Sequence, residues 1–268
     1  MSYFSNKVAL VTGGSEGIGK AMVQALLAEG CRVATCGRNP QKLEALQQAH
    51  AGQPLLTVVA DVSREDDCRH FIESSINHFG GIDILVNNAG VSMRGLFNDT
   101  TVETFRRLMD INFWGALYCT KYALPSILER KGDVVGVSSI AGYRGLPGRG
   151  GYSASKYALQ GWLESLRTEL LHTGVNVMWV CPGFTTSNIR FAALDSEAKP
   201  HGDTSMEEGK MMSAEECAGH ILKAISKRKR TLVLTFQGKL TVWLNRLFAS
   251  WSDKLVQGFF MKDGQLIK

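Results

Sequence analysis

The chain has 268 residues, of which 44% are hydrophobic, and a formal net charge of +5. This length supplies a large apolar core for one α/β domain, so neither disulfides nor a structural metal is required for stability. The six cysteines form no C-x-x-C pair and the six histidines are scattered, which predicts reduced core cysteines and no metal site. No secretory signal pattern precedes the first apolar run, and we expect a cytoplasmic protein.

The first predicted strand, 8–11, leads into a glycine-rich turn of the form T-G-x-x-x-G-x-G, and a helical pattern follows. Glycines let the backbone turn tightly and approach a pyrophosphate, whose charge is attracted by the free amides of a helix N-terminus. Such turns also occur as plain connectors, but a strand before and a helix after favour a dinucleotide site. The candidate cofactor contacts in this turn are Gly13, Ser15, Glu16, Gly17, Ile18 and Gly19.

Further apolar runs alternate with helical patterns along the chain, at 32–36, 55–60, 82–86, 134–137, 175–180 and 231–235. These runs are typical of strands buried on both faces, and their alternation with helices predicts right-handed crossovers and a parallel sheet. We therefore predict a single-domain α/β Rossmann fold over residues 1–235. Its seven-stranded parallel sheet should carry helices on both faces.

Polar residues follow several of these strands, at the sheet edge where ligands of parallel sheets bind. Arg38 follows the second strand, Asp61 the third, residues 87–90 the fourth and Ser139 the fifth. We expect these positions to meet at one edge.

Tyr152 and Lys156 are four residues apart in a predicted helix, so their side chains share one helix face. An ammonium beside a phenol favours the phenolate, and such a pair can exchange a proton with a substrate oxygen. A tyrosine and a lysine at this spacing also occur by chance as a solvated pair. The serines and the glycine turn nearby favour the chemical interpretation.

Together these motifs resemble the short-chain dehydrogenase/reductase family, whose pattern covers about residues 7–235. Ser139 stands thirteen residues before Tyr152, as the family's serine does, and is therefore chosen over Ser138. The matching segments are the glycine turn at 12–19, Asn87-Asn88-Ala89-Gly90, Asn112, Ser139, Tyr152-x-x-x-Lys156 and Cys181-Pro182-Gly183.

The resemblance implies an oxidoreductase that interconverts a carbonyl and a secondary alcohol with a nicotinamide cofactor. It makes Tyr152 the general acid in reduction and the base in oxidation, with Ser139 holding the same substrate oxygen. Lys156 is expected to lower the tyrosine pKa and hold the nicotinamide ribose, and Asn112 to hold a water that connects the lysine to solvent. The further cofactor contacts implied are Asp61, Val62, Asn88, Ala89, Gly90, Tyr152, Lys156, Pro182, Gly183 and Thr185.

The end of the second strand reads Cys36-Gly37-Arg38, where an NAD enzyme normally offers an acidic residue to the ribose. Glycine leaves room for a 2′-phosphate and the guanidinium can bind it through paired hydrogen bonds, which favours NADP(H) over NAD(H). Arg38 could instead stack on the adenine. The chain also departs from several NADP-using relatives, because Glu16 occupies the place of their second basic residue.

The 11-beta-hydroxysteroid dehydrogenase-like branch of the family is similar in its basic run at 227–230 and its aromatic tail. That branch implies a lipophilic substrate, such as a steroid, a retinoid or a long-chain keto compound. The family forms a substrate lid over residues 184–213, which here show weak periodicity. The candidate apolar pocket residues are Val91, Met93, Leu146, Trp179, Phe184, Ile189, Phe191 and Leu194.

Residues 236–268 form an extension beyond the last predicted strand, with apolar residues at helical spacing between Leu240 and Leu255. Asn245, Arg246 and Asp253 fall on the opposite helix face. Charged residues interrupt every window long enough to span a membrane. Three roles remain open: packing on the domain or a partner subunit, an amphipathic helix at a membrane surface, and a cover for an apolar substrate mouth.

The resemblance implies a homodimer or tetramer that pairs the helices around 105–128 and 152–171 between subunits. The basic run 227–230 lacks interleaved aromatic residues, so nucleic acid is not expected as a partner. Two other functions remain as alternatives: an NAD-dependent alcohol dehydrogenase for small substrates, and a non-catalytic nucleotide-binding redox sensor. The substrate, its stereochemistry and the direction of flux do not follow from the sequence.

Overall fold

The computed structural model describes residues 2–183, 185, 189, 192–199 and 211–267. Seven parallel strands form its main sheet in the order β3-β2-β1-β4-β5-β6-β7, which confirms the predicted Rossmann fold. The strands are β1 Val8–Thr12, β2 Arg32–Gly37, β3 Leu55–Val59, β4 Ile84–Asn87, β5 Asp133–Val137, β6 Asn176–Cys181 and β7 Thr231–Val233.

Helices cover both faces of this sheet. The helices are α1 Gly17–Ala28, α2 Pro40–Ala49, α3 Glu65–Phe79, α4 Val102–Met109, α5 Gly115–Arg130, α6 Gly150–Glu169, α7 Ala214–Ser226, α8 Phe236–Leu247 and α9 Ala249–Phe260. Buried residues of α1, α2 and α7 share one apolar core with the sheet, and those of α3, α5 and α6 share the other. All six cysteines are buried with free thiols.

Apolar strand composition and local capping explain these elements. All five residues of β1 and of β5 are buried, as expected of strands covered on both faces. Pro40 occupies the first turn of α2, and the Asn39 side chain accepts a hydrogen bond from the Lys42 amide as its N-cap. The strand order reverses direction between β1 and β4, which creates the crevice where doubly wound folds bind ligands.

The last strand is shorter than the predicted run 231–235, because Thr235 leaves the sheet to begin α8. Its backbone has a φ of 64°, and its hydroxyl accepts a hydrogen bond from the Gly238 amide. The extension then forms two helices separated at Phe248, followed by a short hairpin of β8 Met261–Lys262 and β9 Gln265–Leu266. The apolar periodicity of the extension is therefore shared between two helices instead of one.

Candidate active site

The ends of β1 and β4 are held together by hydrogen bonds at the point where the strand order reverses. The Thr12 hydroxyl accepts hydrogen bonds from the backbone amides of Asn88 and Ala89, at 3.0 and 2.9 Å. The Asn88 side-chain amide donates to the carbonyl of Thr12 at 2.9 Å. The predicted glycine turn and the predicted Asn-Asn-Ala-Gly segment thus form one rigid unit.

Close packing within the glycine turn explains why glycine occupies two of its positions. A Cβ atom on Gly14 would lie 2.1 Å from the Thr35 hydroxyl oxygen, and one on Gly19 would lie 2.3 Å from the Gly13 carbonyl oxygen. Gly13 itself has a φ of +69°, a conformation that side chains disfavour. The turn ends at the N-terminus of α1, and the first amides of a helix have no acceptor within the helix, as a pyrophosphate site requires. The local geometry fits a dinucleotide.

Basic and acidic residues surround the place where β2 ends. Arg38 is exposed there, and a Cβ atom on Gly37 would lie 3.2 Å from the Ser15 hydroxyl. The ammonium of Lys42, on the first turn of α2, contacts the carboxylate of Glu16. Sequence reasoning identified Glu16 as an isolated acidic departure, but it did not find this basic partner.

Asp61 and Val62 lie just beyond the end of β3, as predicted. One carboxylate oxygen of Asp61 accepts hydrogen bonds from the backbone amide and the hydroxyl of Ser63, at 3.0 and 2.8 Å. These bonds fix the orientation of the carboxylate at the sheet edge. The assignment of Asp61 to an adenine contact stays a prediction.

Ser139 and Tyr152 are brought together at the carboxyl end of β5. Ser139 caps the 3-10 turn Ile140–Gly142 by accepting a hydrogen bond from the Ala141 amide at 3.2 Å. Tyr152 lies buried in the first turn of α6. Burial raises the pKa of Tyr152, while a hydrogen bond with the Ser139 side chain and the positive charge of Arg149 act to lower it. The net effect raises the pKa of Tyr152, so the phenol is protonated at neutral pH.

Lys156 lies one turn after Tyr152 and is also buried. Its ammonium donates a hydrogen bond to the Val137 carbonyl at 2.9 Å and lies 5.7 Å from the centroid of the Tyr152 ring. Burial lowers the pKa of Lys156 to about 8. The predicted acidification of Tyr152 by this ammonium is not what the protein groups alone produce, since the cation that lowers the tyrosine pKa is Arg149.

Asn112 lies in a π-helical turn, Asp110–Trp114, between α4 and α5. Its side chain accepts a hydrogen bond from the Val91 amide at 2.8 Å and donates to the Val91 carbonyl and the Ser155 hydroxyl, both at 2.9 Å. Turns of this kind often occur at functional sites. The side-chain amide thus holds the Val91 backbone in place beside the crevice. Its predicted role in holding a water stays a prediction.

Gln160 and Arg149 are two site residues that sequence reasoning missed. The Gln160 amide nitrogen donates to the Ser138 hydroxyl at 2.8 Å and to the Ser139 carbonyl at 3.3 Å. Gln160 follows Lys156 by four residues and Arg149 precedes Tyr152 by three. The spacing of four residues puts Gln160 on the same face of α6 as Lys156, and Arg149 lies directly before the first turn of that helix.

The described part of the lid packs against the segment that follows β4. Leu194 and Met93 form an isolated parallel bridge and are both buried, as are Val91 and Trp179 of the predicted pocket. Pro182 and Gly183 follow β6, and Thr185 is bridged to Met212. Phe184, Phe191 and most of the predicted lid, including 200–210, lie outside the described residues.

Other candidate sites were compared with this edge of the sheet. A cavity of about 490 Å³ lies between α9 and residues 144–153, and none of the four predicted catalytic residues lines it. Among the described residues, His, Cys, Asp and Glu side chains form no group of three or more suited to a metal. Within the same part of the chain, no helix is both long and apolar enough to cross a bilayer.

Comparison with known proteins agrees with this geometry. The short chain dehydrogenase family model matches residues 7–197. The chain is 34% identical to mouse dehydrogenase/reductase SDR family member 7B over 92% of its length and 79% of that protein. It is 32% identical to 11-beta-hydroxysteroid dehydrogenase A of Arachis hypogaea, over 94% of this chain and 76% of that one.

Solved structures show the same fold. A short-chain dehydrogenase/reductase from Burkholderia phymatum, solved in complex with NAD, has a TM-score of 0.84 at 22% identity, covering 94% of this chain and 96% of that one. A short-chain dehydrogenase from Streptomyces avermitilis has a TM-score of 0.80 at 30% identity, covering 94% and 99%. The chain therefore belongs to the short-chain dehydrogenase/reductase family, in the branch that contains member 7B and the 11-beta-hydroxysteroid dehydrogenases.

Proposed function

We propose that this protein is an NADP(H)-dependent oxidoreductase that interconverts a carbonyl and a secondary alcohol on a lipophilic substrate. The observation that carries the proposal is the proximity of the Ser139 hydroxyl to the buried Tyr152 phenol, whose pKa it acts to lower. Two hydroxyls that converge at one point can hold and protonate a single substrate oxygen. When bound, the nicotinamide would supply or accept the hydride at the carbon attached to that oxygen.

Tyr152 would transfer the proton. Because burial raises the pKa of its phenol, Tyr152 remains protonated at neutral pH and can act as the general acid in reduction. Ser139 would donate a hydrogen bond to the substrate oxygen and stabilise the negative charge that develops there. In oxidation the same phenol must first lose its proton, so alkaline pH should favour that direction.

Lys156 and the backbone at the crevice would hold the nicotinamide half of the cofactor. The ammonium lies near Gly90, where an added Cβ atom would be 3.4 Å from it. Its hydrogen bond to Val137 leaves two further donors for ribose hydroxyls. The rest of the cofactor would be bound by the glycine turn and by Asn88, Ala89 and Gly183.

Preference for NADP(H) is supported by the charges around the end of β2. Gly37 carries no acidic side chain toward a ribose 2′ position, and Arg38 is exposed beside it. The contact between Lys42 and Glu16 neutralises the acidic residue that weakened this assignment on sequence alone. The 2′-phosphate would then face the Arg38 guanidinium beside a neutral Lys42–Glu16 pair.

A lipophilic substrate is supported by the apolar walls near Tyr152. Val91, Met93, Trp179 and Leu194 are buried around the crevice, although buried apolar residues also serve the core of any domain. We infer that the substrate partitions into membranes and that the protein works at the surface of a membrane, facing the cytoplasm.

The extension supports this location because its apolar stripe faces outward. Trp243, Leu247, Phe248 and Trp251 are each more than half exposed, at 53%, 56%, 52% and 54%. Two residues of the predicted polar face, Asn245 and Asp253, instead bond to Arg144 of the domain, while Arg246 is exposed. An exposed apolar stripe flanked by lysine and arginine suits an anionic lipid surface. The basic residues of the extension are Lys239, Arg246, Lys254 and Lys262.

Self-association through α5 and α6 is supported by aromatic residues on their outer faces. Trp114 and Tyr157 are 40% and 45% exposed, and Trp114 stacks on Tyr118. A homodimer or tetramer would bury them, and sedimentation at micromolar concentration would distinguish these states from a monomer.

The proposed activity can be tested with NADPH and NADH against ketones of graded chain length and ring size, following nicotinamide absorbance. The proposal expects turnover with NADPH and a preference for long or polycyclic ketones. Equal activity on small polar carbonyls with NADH would favour the alcohol dehydrogenase alternative. Tight nucleotide binding without turnover of any carbonyl or alcohol would favour the redox sensor.

A further inference from the structure

The C-terminal extension covers the loop 140–149, which connects Ser139 to Tyr152. Gly238 at the start of α8 packs so close to Ile140 that an added Cβ atom would lie 2.9 Å from its side chain. Leu266 of the terminal hairpin packs on Gly148, where the corresponding distance is 2.4 Å. The extension therefore contacts this loop near both of its ends.

Arg144 joins the middle of the loop to both helices of the extension. Its guanidinium donates to the side-chain oxygen of Asn245 in α8 at 2.9 Å and to the carboxylate of Asp253 in α9 at 2.5 Å. The Asn245 side-chain nitrogen in turn donates to the Tyr143 carbonyl at 2.8 Å. The Arg144 side chain is only 14% exposed and its bond to Asn245 is partly buried, whereas the Asp253 side chain is 69% exposed.

We propose that Arg144 is a positioning residue: through Asn245 and Asp253 it ties the loop 140–149 to the C-terminal extension and so holds the Ser139 and Tyr152 hydroxyls in their reactive geometry. This inference builds on the proposed function, because it assigns these two hydroxyls to the reaction. It adds that the extension is part of the catalytic machinery as well as a surface for lipid.

The physical basis is that the loop 140–149 joins the two residues whose hydroxyls must converge, so its placement affects the distance between them. A cavity of about 490 Å³ lies between the loop and α9, so the Arg144 bonds join the two segments beside a gap in their packing. A planar guanidinium binds two acceptors at fixed angles, which fixes direction as well as distance. Small misplacements of a reacting group are costly in rate.

The test compares Arg144→Met, which keeps an aliphatic side chain and removes the guanidinium, with Arg144→Lys and with Arg69→Met. Arg69 forms an exposed pair with Asp66 on α3, remote from the site, and serves as the matched control. For Arg144→Met we expect kcat for ketone reduction to fall on the order of tenfold to hundredfold, with NADPH affinity within about twofold of wild type. Arg144→Lys should recover part of the loss, since an ammonium reaches one of the two acceptors.

Two further readouts separate positioning from a loss of folded protein. The Ser139 hydrogen bond lowers the tyrosine pKa, so a displaced loop should move the pH midpoint of alcohol oxidation upward, which a smaller active fraction cannot do. Hydrogen exchange of the amides of residues 141–144 should accelerate while the sheet is unchanged. Asn245→Ala, which leaves Arg144 intact, should reproduce both effects if Arg144→Met does not fold.

The positioning role would be overturned if Arg144→Met and Asn245→Ala both kept the kcat, the pH midpoint and the amide exchange rates of the wild-type protein. Exchange is measured without substrate and so remains decisive if the wild-type protein turns over no carbonyl. In that case the proposed function fails, while faster exchange in the variants would still support the tie between loop and extension.

Discussion

The Lys156 ammonium donates to the Val137 carbonyl at 2.9 Å and lies 5.7 Å from the centroid of the Tyr152 ring. The two side chains share a buried helix face, and neither position depends on a direct hydrogen bond between them. Burial acts on them in opposite directions, raising the pKa of the phenol and lowering that of the ammonium to about 8. The neighbouring Ser139 and Arg149 therefore become the groups that ease deprotonation of Tyr152.

The buried Lys156 should make stability depend on pH. Its pKa of about 8 in the folded protein lies below the ordinary value of 10.5, so between these values the unfolded chain binds more protons. The contribution of Lys156 to the free energy of unfolding should then rise with pH across this window. Lys156→Met should stabilise the protein at pH 7, by up to about 3 kcal/mol from a shift of this size, and by less at pH 9.5.

Urea unfolding of wild type and Lys156→Met at both pH values measures this difference, with the exposed Lys223→Met as the control. An equal effect of Lys156→Met at pH 7 and pH 9.5 would show that burial does not shift this lysine.

Arg38→Ala and Lys42→Ala should each weaken NADPH binding while leaving NADH binding nearly unchanged. The expected loss for Arg38→Ala is about tenfold to hundredfold, because a charge-assisted hydrogen bond contributes roughly 1.5–3 kcal/mol. Lys42→Ala would leave the Glu16 carboxylate without its cation, and its negative charge would repel the 2′-phosphate. Fluorescence titration with both nucleotides measures the ratio, and Arg69→Ala on α3 is an exposed control. An equal loss with NADH and NADPH would mean that Arg38 stacks on the adenine instead.

Gly14→Ala should abolish dinucleotide binding or destabilise the fold, because its Cβ atom would lie 2.1 Å from the Thr35 hydroxyl, which is itself bonded to the Val11 carbonyl. Gly219→Ala on α7 is the matched control. A Cβ atom there has no neighbour within 4 Å, and the change should stabilise the helix by roughly 0.5–1 kcal/mol. Thermal unfolding and nucleotide titration give both results. Normal binding by Gly14→Ala would contradict the packing of the turn.

Replacing Trp243 and Trp251 together by serine should weaken binding to vesicles that contain anionic lipid. Both indoles are more than half exposed on the outward stripe, so the change removes apolar contact with lipid and leaves the domain core intact. Co-sedimentation with vesicles measures the effect, with Val59→Ser, an exposed apolar residue of β3, as the control. If the wild-type protein dimerises through this stripe and ignores vesicles, the outward face is a subunit interface.

Much of the architecture could be predicted because a parallel sheet buried on both faces leaves uninterrupted apolar runs such as 8–11 and 134–137. The meeting of Ser139 with Tyr152 followed from strand ends and helical spacing. Strand bounds were less certain: β4 begins at Ile84, two residues later than the apolar run, and β7 ends before Thr235.

Contacts between distant segments could not be predicted. The Arg144 bonds span more than 100 residues of sequence, and the pairing of Lys42 with Glu16 depends on how α2 lies beside the glycine turn. Periodicity divided the extension into an apolar and a polar face, but it did not show that Asn245 of the polar face would turn inward. That orientation results from two specific partners, Tyr143 and Arg144, which offer hydrogen bonds to it.

The most direct test of the account is the turnover of Tyr152→Phe with NADPH and a ketone that the wild-type protein reduces. Removal of the buried hydroxyl should lower kcat by about 10²–10⁴-fold, the usual contribution of a general acid, with NADPH affinity and folding retained. Tyr122→Phe, which removes an exposed hydroxyl bonded to Glu65, should turn over like wild type. Unchanged turnover by Tyr152→Phe would contradict the assignment of this phenol as the proton donor.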